Sequence, residues 1–158
     1  MALKTFTALA VSASLLVTIG TPVLGELSRE QQGAISARQA HMTLYGFNLA
    51  PLGAMAQGQM PYDAEVAAAA AANLAAVAGL NEDRYWLEGT DSSAGNNRAK
   101  AEIWSDPEGF AAEIENIAVT TAALAAVAGN GLDEMRAAFG PVGQSCGSCH
   151  ESYRAPRN

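Results

Sequence analysis

The 158-residue chain is poor in the groups that carry most protein chemistry. It holds two cysteines, two histidines and two tryptophans, and aromatic residues make up 6% of it. Basic residues are also scarce, nine Lys and Arg against sixteen Asp and Glu, for a net charge of −7. Without a basic stripe the chain lacks the electrostatic footprint of a nucleic-acid binder, so no nucleic-acid partner is expected. No segment alternates apolar and polar residues with period two, which excludes a sheet-based fold and leaves helix throughout. The missing strands also remove the strand–helix junction at which a redox C-x-x-C pair is expected.

One long uncharged run exists, Phe6 to Ile19, preceded by Lys4 and followed by Pro22 and the tripeptide Val23-Leu24-Gly25. It is shorter than the ~20 residues needed to span a bilayer. Its layout is that of a secretory signal, residues 1–25, with cleavage expected after Gly25. The mature domain is then residues 26–158. Its eight basic and sixteen acidic residues leave a net charge of −8. It is expected to be exported and not inserted in the membrane, with an acidic surface able to steer it toward basic partners.

The mature part reads as four amphipathic helices. In the first, about Ser28 to Gln57, Ile35, Arg38, Met42, Tyr45, Leu49, Leu52 and Ala56 recur at alternating spacings of three and four, a bundle seam interrupted by one charge. Pro51 is expected to bend this helix. Asp63 caps an alanine-rich second helix ending near Ala78, with Val66, Ala70, Leu74 and Val77 on its inner side. A long connection from Leu80 to about Ser105 follows, bracketed by Trp86 and Trp104. Loops of this length are functional or disordered as a rule, and the two tryptophans imply pinned ends. Asp106 and Pro107 open the third helix, along which Phe110, Ile114, Ile117, Thr121, Leu124 and Ala128 face inward. The fourth begins near Leu132, capped at about Asn130, and is kinked by Pro141. Its stripe is Leu132, Met135, Phe139, Val142, Cys146, Cys149 and Tyr153, so both cysteines face the core, and His150, one turn beyond Cys146, faces inward too.

The chemistry is therefore concentrated in "CGSCH", Cys146 to His150. A structural zinc site takes four ligands, and the other histidine, His41, lies in the first helix. The spacing C-x-x-C-H is the signature of covalent haem attachment, in which two thiols form thioethers and the adjacent imidazole binds iron from one face. Export fits this reading. Arg38, a charge within an apolar seam, fits it as well, because a buried guanidinium needs an anion. His41 is one position before Met42 and points about 100° from the seam. It is expected to be a solvated or interface histidine and not a second iron ligand.

Four stretches, "RQAHM", "GQMPYDA", "EIWSD" and "FGPVGQSCGSCHESYR", resemble the cytochrome c′ family, and the likeness covers nearly all of residues 28–156. The resemblance implies an all-α, antiparallel up-down four-helix bundle with covalently attached haem c, located in the periplasm. It also implies a homodimer joined through helices one and two. Cys146 and Cys149 would hold the haem and His150 would be the axial iron ligand, with Arg154 near the proximal imidazole. Arg38 and Gln39 match the pair that contacts the haem propionates, and Met42 points at the distal face. Trp86 and Thr90 match loop positions packed against haem, and Glu102 and Ile103 another haem-side pair, although this loop lacks the family's frequent Gly-Pro before Gly-Thr. A face of the first helix with Ala34, His41, Thr43 and Asn48 is expected to be available for the dimer.

Three function classes follow: an electron carrier, a binder of small gases (nitric oxide, carbon monoxide), or a haem enzyme such as a peroxidase. Enzymatic use of haem calls on distal polar groups, and Met42 and Trp86 are poor acid–base residues, so a non-enzymatic cytochrome is expected. The iron is read as five-coordinate and high-spin. The alternative is a low-spin electron carrier with Met42 as sixth ligand.

Overall fold

The computed structural model describes residues 26–157, so the expected signal segment and its cleavage site lie outside the described residues. Five helices appear among them: α1 (Arg29–Ala56), α2 (Ala64–Ala78), a single turn α3 (Glu102–Ser105), α4 (Pro107–Val127) and α5 (Leu132–Tyr153). The four long ones form the bundle, with α1 against α2 and α5, and α4 against α2 and α5.

Local chemistry fixes most of the boundaries. Ser28 and Gln31 form a reciprocal capping box at the start of α1. Asp63 accepts from the backbone N–H groups of Glu65 and Val66, and Asp106 from that of Gly109, directly before Pro107. The sharp turn from α1 to α2 passes through Gly58 at φ 70°, a conformation that favours glycine. Pro51 and Pro141 sit inside helices that continue through them.

Three expectations need correction. Gly131, and not Asn130, is the N-cap of α5, and it supplies no side-chain bond. On α2, Val66 is exposed. The buried stripe is Ala67, Ala70, Ala71, Leu74, Val77 and Ala78, a face chosen by the approach of α4, which periodicity among near-identical alanines could not locate. The long connection contains the extra turn α3 and an antiparallel bridge between Ala99 and Arg154.

The core has two parts. The larger runs through the bundle around Leu52, Met55, Leu74, Leu124, Met135 and Val142, each at most 1% exposed. The smaller gathers Ala99, Ile103, Phe110 and Tyr153 under the long connection, with Trp86, Trp104, Ile114 and Cys149 against it. Cys146 packs on the first part and Cys149 on the second. The helix α4 is long and apolar enough to cross a membrane by composition alone, yet Phe110, Thr121 and Leu124 commit one of its faces to the bundle.

The connection is fastened at several points. Trp104 Nε1 donates to Trp86 O at 3.0 Å, which ties its two tryptophans together. Lys100 N donates to Tyr153 O and Ala155 N to Arg98 O, joining it to the end of α5. The Tyr153 hydroxyl donates to Asp106 Oδ2 at 2.8 Å, and a side chain at Gly109 would collide with both of these groups.

Candidate functional site

Two adjoining cavities of about 330 and 370 Å³ lie between α1, α4, α5 and the long connection. They share Met42, Arg98, Ile114, Cys149, His150 and Arg154, so they form one cleft. Apolar side chains make most of its wall. Trp86, Ile103 and Phe110 line the outer part, and Tyr45, Leu49 and Ile117 the inner. The combined size and lining are those of a pocket for a large, mostly apolar cofactor.

The helix α5 sets the reactive groups. Cys146 and Cys149 are free, half-buried thiols on its inward face. Burial raises the Cys146 thiol above its ordinary range, and burial with the nearby charge of Glu113 pushes Cys149 up to about 11. Redox and metal-binding thiols have the opposite tendency, because the thiolate is the nucleophile and the ligand. Among the described residues no group of His, Cys, Asp and Glu could hold a metal ion by itself. Burial, then the charges of Arg154 and Arg98, lowers the His150 imidazole, favouring the neutral ring whose lone pair can bind iron. Two protonated thiols and one neutral imidazole on a single cleft wall fit haem c. They would hold it through two thioethers and one iron–nitrogen bond.

Arg38 is buried in the cleft edge and makes four hydrogen bonds. Its two terminal nitrogens donate to Tyr85 O at 3.2 Å, Thr90 Oγ1 at 2.9 Å, Asn97 Oδ1 at 3.0 Å and, in a very short contact, Thr90 O. Its guanidinium also lies over the Trp86 ring, 5.1 Å from the centroid. Burial lowers its pKa, opposed by the charge of Asp91. Gln39 lines the outer cavity and donates to Asn96 O, and Met42 lines both cavities while 40% exposed. Trp86, Ile103 and Arg154 also line the cleft. Thr90 does not. It is fully buried behind Arg38 and donates to Leu87 O. Glu102 is exposed at the start of α3 and lines neither cavity.

His41 departs from expectation. Instead of facing solvent or an interface it is 3% exposed, stacked on Tyr45 at 4.8 Å and met edge-on by Tyr85. Its Nδ1 lies 3.6 Å from Glu82 Oε1. The α1 face expected to be free for a second copy is likewise mostly covered. Ala34, His41 and Asn48 are buried, and the large exposed apolar side chains of α1 are Met42, Leu44 and Phe47. Tyr85 and Glu82 of the long connection cover His41, and Asn73 of α2 covers Asn48.

Sequence reasoning missed Glu82, Arg98 and Asn97 at the cleft. They sit on an irregular segment, which has no periodicity to point the way. Phe110, Ile114 and Ile117 stood in the stripe of α4 and could have been named as cleft residues from that register.

The comparisons agree with this geometry. A family profile described as Cytochrome C′ matches residues 33–154. Cytochrome c-554 of Cereibacter sphaeroides is 37% identical over 148 residues, covering 93% of this chain and 95% of that protein. A solved cytochrome c′ from Rhodobacter sphaeroides superposes with a TM-score of 0.78 at 37% identity, over 80% of this chain and 98% of that one. Nitric oxide and carbon monoxide complexes of variants of cytochrome c prime from Alcaligenes xylosoxidans match with TM-scores of 0.71 and 0.70 at 32% identity. They cover 83% and 80% of this chain and 100% and 97% of their own. With the bundle, the cleft and the C-x-x-C-H wall in agreement with these likenesses, the chain belongs to the cytochrome c′ family, whose members bind haem c.

Proposed function

We propose that this chain is a periplasmic c-type cytochrome whose haem is five-coordinate and high-spin, and that it transfers electrons and binds small gases. The observation that carries this reading is the wall of α5. Cys146, Cys149 and His150 open onto a cleft that Met42 also lines from α1. The haem supplies a one-electron iron couple and an iron face for diatomic ligands. Cys146 and Cys149 would fix its position through thioethers, and His150 would provide a nitrogen ligand to the iron. Arg38 and Gln39 stand at the cleft edge for its carboxylates, and Arg154 lies beside the imidazole. Ile103, Phe110 and Trp86 give the outer part an apolar lining.

Met42 decides the coordination. This side chain lines both cavities and has three flexible torsions. It would lie over the open face of the haem, where a flexible thioether would yield to a small gas. The nitric oxide and carbon monoxide complexes of variants of the Alcaligenes relative support gas binding. Leu44 and Phe47, 47% and 76% exposed one turn apart on α1, support assembly as a homodimer.

The test is spectroscopic. Mature protein retains haem after acid–acetone extraction, the ferric form has high-spin bands, and the ferrous form binds carbon monoxide and nitric oxide. Cys146→Ala with Cys149→Ala yields chain without covalent haem. A sulfur–iron band in the wild type that disappears in Met42→Ala would replace this reading by the low-spin carrier.

A further inference from the structure

Besides Glu113, one carboxylate lines the cleft. Glu82 stands in the wall of the inner cavity with Tyr45, Cys146, Cys149 and His150. The two carboxylates are differently placed. Glu113 is half-buried and accepts a hydrogen bond from Ser148 Oγ on the surface of the bundle. Glu82 is 8% exposed, on an irregular segment with no helical pattern to bury it. A carboxylate in such a place costs several kcal/mol of desolvation unless it is partnered.

Its partners are few. Trp86 Nε1 donates to Oε2 at 2.9 Å, one strong hydrogen bond. His41 Nδ1 faces Oε1 at 3.6 Å, too long for a hydrogen bond, and neither nitrogen of His41 has a hydrogen-bond partner. Nothing in the fold therefore neutralises Glu82 with a well-formed ion pair. The Tyr45 hydroxyl, also buried, has no partner either. Across the cleft stand the cations Arg98 and Arg154. The charge of Glu82 reaches into this cavity: it contributes, after burial, to the upward shift of Tyr45.

We infer that Glu82, held by Trp86, is the residue that sets the reduction potential of the cleft, holding a negative charge where it favours the ferric over the ferrous state. The inference rests on the haem reading above. Adding one electron to the site lowers its charge by one unit, and a fixed anion in a water-poor wall opposes that step far more than a solvated one would. Glu82 is thus a tuning residue that acts through its field.

The experiment compares the midpoint potentials of wild-type holoprotein, Glu82→Gln, Glu82→Asp and the exposed-surface control Glu115→Gln by spectroelectrochemistry at pH 7, alongside their thermal midpoints. Glutamine keeps an oxygen for Trp86 Nε1 and removes only the charge. At a fixed solution potential its ferrous-to-ferric ratio rises at least tenfold, which for a one-electron couple is about 59 mV. Glu82→Leu gives a rise in the same direction should glutamine disturb folding. Glu82→Asp and Glu115→Gln stay within about twofold of the wild type. A ratio for Glu82→Gln within twofold of the wild type, even with a lowered thermal midpoint, overturns the inference and leaves Glu82 a structural residue. The same rise in Glu82→Asp as in Glu82→Gln also overturns it, because the charge is then not the cause. Failure of the haem reading looks different: no variant, the wild type included, then shows a visible one-electron couple.

Discussion

Replacing Arg38 by methionine tests how the cleft is held open. Methionine keeps most of the stem volume and the contact with Trp86, so the change isolates the guanidinium. The acceptors it deserts are not equal. Thr90 Oγ1 keeps its bond to Leu87 O. Asn97 Oδ1 still accepts from Ala99 N at 3.0 Å. Tyr85 O is half-buried and can take a water. Thr90 O, in a residue with no exposed surface, is left alone. One orphaned buried carbonyl costs about 1–3 kcal/mol, and the net loss of the remaining charged bonds adds about 1 each before the guanidinium's recovered desolvation is subtracted. The cation–ring contact adds about 0.5–1 kcal/mol. The balance is a loss of about 3 kcal/mol. For a domain of this size that lowers the thermal midpoint by roughly 10–12 °C. The assay is thermal unfolding of the mature holoprotein followed by far-UV circular dichroism, with amide exchange across residues 85–97 as a local readout. Exchange there should speed up before the bundle unfolds, because the connection loses its latch. A loss under about 1 kcal/mol, with unchanged exchange in the connection, would refute the reasoning and show that the guanidinium's desolvation cancels its bonds.

Four further outcomes follow. Met42→Ala speeds carbon monoxide binding to the ferrous protein, read by stopped flow, and leaves the ferric spectrum high-spin. Leu124→Ala, at a site with no exposed surface, costs about 3 kcal/mol in denaturant unfolding, whereas Asp63→Ala loses one helix cap and costs about 1 kcal/mol. Folded chain made without haem attachment alkylates slowly at Cys149 at neutral pH. Its folded-state pKa is raised to about 11, so the thiol's contribution to stability is full below the unfolded thiol value near 8.5 and is lost as pH rises from there through about 11. Phe47→Glu on α1 gives a monomer in sedimentation at concentrations where the wild type is dimeric, with haem spectra unchanged.

The bundle was legible because its signals are local and periodic. The seam Ile35, Arg38, Met42, Tyr45, Leu49 and Leu52 repeats at helical spacing, and Ser28, Asp63 and Asp106 announce their helices by capping chemistry that needs no tertiary information. Cys146, Cys149 and His150 were legible for the same reason: a motif confined to one helical turn carries its own geometry. The long connection was not. Its direction is fixed by contacts between residues far apart in sequence, such as Trp104 with Trp86, Ala99 with Arg154, and Arg38 with Thr90 across 52 positions. None of these leaves a spacing to read. That one segment determined what surrounds the cleft. It buried His41, which helical geometry alone turned toward solvent, and it brought Glu82 against His41 and Arg98 beside His150. Periodicity assigns a residue to a face of its own helix, and only the packing of the other elements decides whether that face meets water or a neighbour.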